Sequence, residues 1–144
     1  MSRIQLALNV SNLDEAVEFY SKFFHSEPAK VRSGYANFAI DEPPLKLVLI
    51  EGGGAPGSIN HLGVEVFSTE EVTEASNYLS GVGLETRVEE STTCCFAVQD
   101  KVWVDGVDGS PWEVYTVLED SLSPAGITGD DTCCSASIGG SACC

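Results

Sequence analysis

An alternating strand followed by a capped amphipathic helix occurs twice in this chain, once from Ile4 and again from His61, with a glycine-rich linker between the copies. In the first copy Ile4, Leu6, Leu8 and Val10 alternate with Gln5, Ala7 and Asn9, the period of a strand with one face on a core. Ser11 is the expected N-cap, with Asp14 three residues on. Leu13, Ala16, Val17, Tyr20, Phe23 and Phe24 then recur at helical spacing until near His25, before Pro28. Tyr35 to Ile40 and Leu45 to Ile50 read as strands joined through Asp41-Glu42-Pro43-Pro44.

After the linker Gly52-Gly53-Gly54-Ala55-Pro56-Gly57-Ser58 the order restarts. His61 to Phe67 alternates Leu62, Val64 and Val66 with His61, Gly63 and Glu65. Ser68 and Glu71 form a capping box, and Val72, Ala75, Leu79 and Val82 make the apolar stripe of a second helix stopped by Gly83. Leu84 to Glu89, Phe96 to Val104 and Trp112 to Val117 complete the copy as strands. The plan is βαβββ, linker, βαβββ, and neither half is large enough to bury its own core. We therefore expect one α+β domain of paired βαβββ modules over residues 1–118: module one 3–51, linker 52–58, module two 59–118. Residues 119–144 are rich in Ser, Gly, Ala, Thr, Asp and Cys, and their lack of apolar bulk predicts a flexible tail. Aligning the copies sets Gln5 against His61 and Leu45–Ile50 against Pro111–Thr116, which places Leu47 opposite Glu113.

Charge narrows the function classes. The net charge of −15 repels phosphate backbones and anionic lipid, so nucleic-acid and membrane-surface roles are disfavoured. No apolar run is long enough to span a bilayer, and Met1 to Gln5 lacks the charged and apolar regions of a signal peptide, so a soluble cytoplasmic protein is expected. The six cysteines form three adjacent pairs: Cys94-Cys95, Cys133-Cys134 and Cys143-Cys144. Neighbouring Cα atoms are about 3.8 Å apart across a trans peptide, short of the roughly 4.4–6.8 Å that disulfides favour. Two adjacent thiolates do, however, suit one soft ion.

A repeated βαβββ unit whose first and last strands carry polar residues resembles the vicinal oxygen chelate superfamily over roughly residues 3–118. That superfamily includes glyoxalases, extradiol dioxygenases, fosfomycin-modifying enzymes and metal-free bleomycin-binding proteins, so the fold does not select a chemistry. A narrower resemblance lies in Gln5-Leu6-Ala7-Leu8-Asn9-Val10, Asn60-His61-Leu62-Gly63-Val64-Glu65, the run from Thr92-Thr93-Cys94-Cys95 to Trp103-Val104, and Trp112-Glu113-Val114-Tyr115. These stretches are similar to the carbon–arsenic lyase family and the related cadmium-induced proteins. The resemblance implies non-haem Fe(II) held by Gln5, His61 and Glu113, dioxygen as co-substrate, and a trivalent organoarsenical such as methylarsenite held by Cys94 and Cys95. The products would be arsenite and an oxidised carbon fragment. Modules in the superfamily pair within one chain or between chains, which leaves a homodimer open.

Each residue also has a structural reading. A lone histidine in a strand usually serves packing, but His61 opens a module at the position matching Gln5, where a neutral imidazole can donate to a metal. Glu113 interrupts an apolar strand, where an unpaired carboxylate is costly to bury. Gln5 is explained equally by a solvent face, and only the repeat and the resemblance raise it. Leucine at position 47 cannot coordinate, which disfavours a symmetric four-ligand site and leaves positions open for dioxygen or substrate. Asn9 and Glu65 share the polar faces of Gln5 and His61 and are candidates to support the ligands. His25 is read as a helix C-terminal cation. No general acid or base emerges. The competing function is sequestration of Cd(II) or As(III) by the Cys pairs without turnover; extradiol cleavage of catechols leaves the Cys pair unexplained.

Overall fold

A computed structural model describes residues 2–94 and 96–120. The element order is β1 (Arg3–Val10), α1 (Leu13–Phe24), β2 (Lys30–Arg32), β3 (Tyr35–Ile40), β4 (Leu45–Glu51), β5 (Ile59–Glu65), α2 (Thr69–Gly81), β6 (Arg87–Cys94), β7 (Ala97–Asp105) and β8 (Pro111–Asp120). The expected paired α+β plan is present. It includes a short β2 that the apolar pattern did not reveal, and β6 lies later than Leu84–Glu89. Strand β8 continues past residue 118, where the domain was expected to end. Cys95, Cys133, Cys134, Cys143 and Cys144, and all of the expected tail beyond Asp120, lie outside the described residues.

The strands form one eight-stranded sheet in the order β2-β3-β4-β1-β5-β8-β7-β6. Within each module the first strand pairs in parallel with the last, β1 with β4 and β5 with β8. The modules meet where β1 and β5 run antiparallel. The sheet curls, with both helices packed on one side and a concave face on the other. Leu6, Leu8, Val17, Tyr20 and Phe24 pack against a core of Leu13, Phe38, Leu47 and Leu49 beneath α1. Under α2 the equivalent core is Val66, Val72 and Val102, with Val64, Ala75, Leu79 and Val114. Phe23 and Val82, expected in the two helical stripes, are exposed instead.

Capping explains the helix boundaries. Asn12, rather than Ser11, caps α1: its side-chain oxygen accepts from the Glu15 N–H at 3.0 Å. Two good capping residues stand side by side here, and the one that takes the extended conformation next to the first helical residue wins. At α2 Ser68 caps as expected, its Oγ accepting from the Glu71 N–H at 3.2 Å, while the Glu71 carboxylate reaches one residue further back and accepts from the Phe67 N–H at 3.0 Å.

Burial on the two central strands inverts the simple amphipathic reading. The polar sets Gln5, Ala7, Asn9 and His61, Gly63, Glu65 are the buried ones, while Leu6, Leu8, Val10, Leu62 and Val64 on the other face are only partly buried and Ile4 is exposed. Polar side chains concentrated on the more buried face of a sheet need partners there, and they are found on the concave side.

Candidate metal centre

Across β1, β5 and β8 the register places Gln5 opposite Gly63, and Gly63 opposite Glu113. Gly63 carries no side chain, so the flanking side chains meet over it. Gln5 Nε2 donates to Glu113 Oε1 at 2.7 Å and lies 3.0 Å from His61 Nε2. His61 Nε2 is 3.4 Å from Glu113 Oε1. A Cβ at position 63 would stand 2.9 Å from Glu113 Cγ and 3.4 Å from Gln5 Nε2, so the glycine is a requirement of this approach. All three side chains are buried.

The electrostatics suit a cation. Burial, opposed by the nearby Glu113 charge and reinforced by Lys101, lowers His61 from 6.5 to about 4, so its ring is neutral at physiological pH. His61 Nδ1 lies 2.7 Å from Asn60 Oδ1, which makes Nδ1 the protonated nitrogen and leaves Nε2 bare toward Gln5 and Glu113. Trp103 packs edge-on against the His61 ring at 5.6 Å. Lys101 is completely buried, with its ammonium 2.9 Å from Glu113 Oε2. Burial alone would lower the Lys101 pKa, but Glu113 and then Cys94 outweigh it and raise it.

Among the described residues no three His, Cys, Asp or Glu side chains converge, so a metal here depends on the Gln5 amide oxygen completing a set with His61 and Glu113. The donors fit: a bare imidazole nitrogen, a carboxylate oxygen whose partner oxygen pairs with the buried Lys101 ammonium at 2.9 Å, and an amide that presents its oxygen once it turns over. The fourth position of the pseudosymmetric site needs correction. Because Ala7 pairs with Val48 as Gly63 pairs with Glu113, the counterpart of Glu113 is Val48, one residue beyond Leu47. Leu47 faces α1, whereas Val48 lines the concave cavity. Valine coordinates no better than leucine, so the inference of three protein donors is unchanged.

The three residues line a cavity of about 270 Å³, together with Tyr35, Asn37, Lys46, Gln99 and Tyr115. Cys94 is buried with Ala7, Tyr35, Val48, Ile50 and Phe96 on the same face. Its carbonyl accepts from Gln99 Nε2 at 3.2 Å, and Lys30 Nζ donates to the Phe96 carbonyl at 3.1 Å. The Cys94 turn is thereby folded against module one. Of the two supporting candidates, Asn9 hydrogen-bonds through Asn60 toward His61, whereas Glu65 is ion-paired with Arg3 and, at 3.9 Å, Lys46. His25 caps α1 in a left-handed conformation, away from the cavity lining.

Sequence reasoning gave Lys101 and Asn60 no role. Lys101 shares strand parity with Gln99 and Trp103 in β7, so a charge in the middle of a nine-residue strand was the available signal. Asn60 immediately precedes His61 but lies on the opposite parity of an ideal strand. It reaches the ring where the β1–β5 register shifts at Ala7/Leu8.

Residues 3–114 match the model of the Glyoxalase/Bleomycin resistance protein/Dioxygenase superfamily. The cadmium-induced protein CadI of Mycobacterium tuberculosis is 60% identical over 121 residues, covering 84% of this chain and 80% of that protein. A trivalent organoarsenical cleaving enzyme of Thermomonospora curvata is 54% identical over 143 residues, covering 99% of this chain and 94% of the enzyme. Among solved structures, the 2,3-dioxygenase LapB of Pseudomonas sp. KL28 superposes with a TM-score of 0.60 at 17% identity, over 83% of this chain and 41% of that one.

Proposed function

The chain belongs to the Glyoxalase/Bleomycin resistance protein/Dioxygenase superfamily, and from that premise we propose that it is an Fe(II)-dependent dioxygenase that cleaves the carbon–arsenic bond of trivalent organoarsenicals. The observation that carries the reading is the meeting of Gln5, His61 and Glu113 over the notch at Gly63, on the face that also buries Cys94. The organoarsenical cleaving relative, covered over nearly its whole length, supplies the substrate class.

Gln5, His61 and Glu113 would hold the iron, which when bound supplies open positions and electrons for reaction with dioxygen. The chain's own residues do the rest. Lys101, buried beside Glu113, orients that carboxylate through the 2.9 Å ion pair and offsets negative charge in the site. His61 enters as a neutral donor. Cys94 and Cys95 would anchor arsenic through its two non-carbon valences, which leaves the C–As bond as the one still open to reaction and makes neighbours of two reactants. For methylarsenite, one dioxygen balances to arsenite and formaldehyde. Residues 1–118 would form the catalytic domain, and the Cys133-Cys134 and Cys143-Cys144 pairs beyond it would capture substrate.

The name of the cadmium-induced relative keeps a second reading in view, in which the cysteine pairs sequester Cd(II) or As(III) without turnover. One experiment separates them: anaerobic reconstitution with Fe(II), then methylarsenite in air, following dioxygen uptake and arsenite release. Iron-dependent arsenite release with matching dioxygen loss is expected, and it should collapse in Cys94→Ser and Cys95→Ser while iron binding survives. Stoichiometric arsenical binding with no arsenite released would leave sequestration standing and the lyase rejected.

A further inference from the structure

We propose that Asn60 and Asn9 are positioning residues that, braced by the linker between the modules, hold His61 in its Nδ1–H tautomer with Nε2 turned toward Gln5 and Glu113. The hydrogen bonds form a chain running one way. His61 Nδ1–H donates to Asn60 Oδ1 at 2.7 Å. Asn60 Nδ2 donates to Asn9 Oδ1 at 3.1 Å, and Asn9 Nδ2 to Ser58 Oγ at 2.9 Å. The Ser58 hydroxyl donates to the Ala55 carbonyl, which can only accept. That fixed acceptor sets the direction of every link, and so the end of each amide that faces its neighbour.

The linker grips Asn9 from both sides. The Asn9 N–H donates to the Ser58 carbonyl at 2.9 Å, and the Gly57 N–H donates to the Asn9 carbonyl at 2.8 Å. Its glycines are packed onto the amides. A Cβ at Gly54 would lie 2.8 Å from Asn9 Nδ2; one at Gly53 would lie 2.8 Å from Asn9 Oδ1 and 3.1 Å from Asn60 Nδ2. Removing Asn9 takes away the acceptor that holds the Asn60 NH₂ on its far side, and a turned amide presents that NH₂ to His61 Nδ1. The ring then keeps its proton on Nε2, where it blocks donation to a metal. A segment that looks like a spacer thus controls a ligand's tautomer.

The inference rests on His61 being a metal ligand, so the test reads the tautomer apart from the metal. The chain has only two histidines, and ¹⁵N NMR of the metal-free protein resolves the state of each ring. Wild type and Asn60→Asp, which retains the acceptor, should show Nδ1–H at His61. Asn60→Leu and Asn9→Leu should shift the ring to Nε2–H. Asn60 is only half-buried and Gly54 is exposed, so Asn60→Leu and Gly54→Ala keep the question answerable if Asn9→Leu fails to fold. Anaerobic Fe(II) titration should show a loss of about 10–100-fold in Asn60→Leu, the usual effect of removing a ligand's hydrogen-bond partner, and recovery in Asn60→Asp. An Nε2–H ring in wild type, or a wild-type tautomer in folded Asn60→Leu and Gly54→Ala, overturns the proposal. A wild-type chain with Nδ1–H that takes up no Fe(II) upholds the relay and counts against the proposed function instead.

Discussion

At the scale of single residues, the smallest side chain in the site does the most to shape it. Gly63 is the gap through which Gln5 and Glu113 touch, and a methyl group there would sit 2.9 Å from both Glu113 Cγ and its backbone oxygen. Gly63→Ala should therefore cost about 1–3 kcal/mol of stability by overpacking and weaken Fe(II) binding more than its stability loss explains, as calorimetry and anaerobic titration would show. His61 gives a second expectation. Its folded pKa of about 4 lies below the ordinary 6.5, so as pH falls the unfolded chain takes up the proton first. The stability due to the neutral ring is fully present above about 6.5 and is lost as pH drops toward 4, by up to about 3 kcal/mol. Urea unfolding of the metal-free chain at pH 7 and pH 4.5 should show a steeper decline in wild type than in His61→Gln. Equal declines would show that burial of this ring carries no proton linkage.

At the scale of strands, the counterpart of Glu113 is Val48 in β4, and this yields a prediction about coordination. Val48→Glu should destabilise the metal-free chain by burying an unpaired carboxylate, tighten Fe(II) binding by adding a fourth donor, and slow turnover by filling a position otherwise open. Melting temperature with and without Fe(II), together with arsenite release, tests all three; faster turnover would argue against an open position at the metal. The same strand shows where the sequence stops being informative. In β1 and β5 the alternation of polar and apolar residues fixed strand parity, and the repeat with the family resemblance then singled out Gln5 and His61 on the polar face. In β4, Leu47, Val48, Leu49 and Ile50 are all buried, because one face lies under α1 and the other lines the cavity. A strand apolar on both faces carries no parity signal, so the alignment of the modules slipped by one residue. Lys101 left a mid-strand charge as its signal, but what that charge does depends on its partner, Glu113, which only the tertiary structure reveals.

Across the whole molecule, the proposed function divides the labour between the described domain and the cysteines beyond it. Deleting residues 121–144 should leave the melting temperature within a few degrees and saturated turnover unchanged, while slowing reaction at low arsenical concentration. A large fall in melting temperature would give those residues a structural part. The domain itself is joined along the antiparallel contact of β1 with β5, and Gln5 stands on one side of that seam while His61 and Glu113 stand on the other. A site straddling such a seam can be read by genetic-style complementation. If modules exchanged between copies, mixing inactive Gln5→Ala with inactive His61→Ala would regenerate some intact sites, because one exchanged pairing unites the unaltered halves. If instead the two modules pair within one chain, refolding the two variants together should restore no arsenite release. Recovered activity in that mixture would show that the halves trade partners, and that each working centre belongs to two molecules.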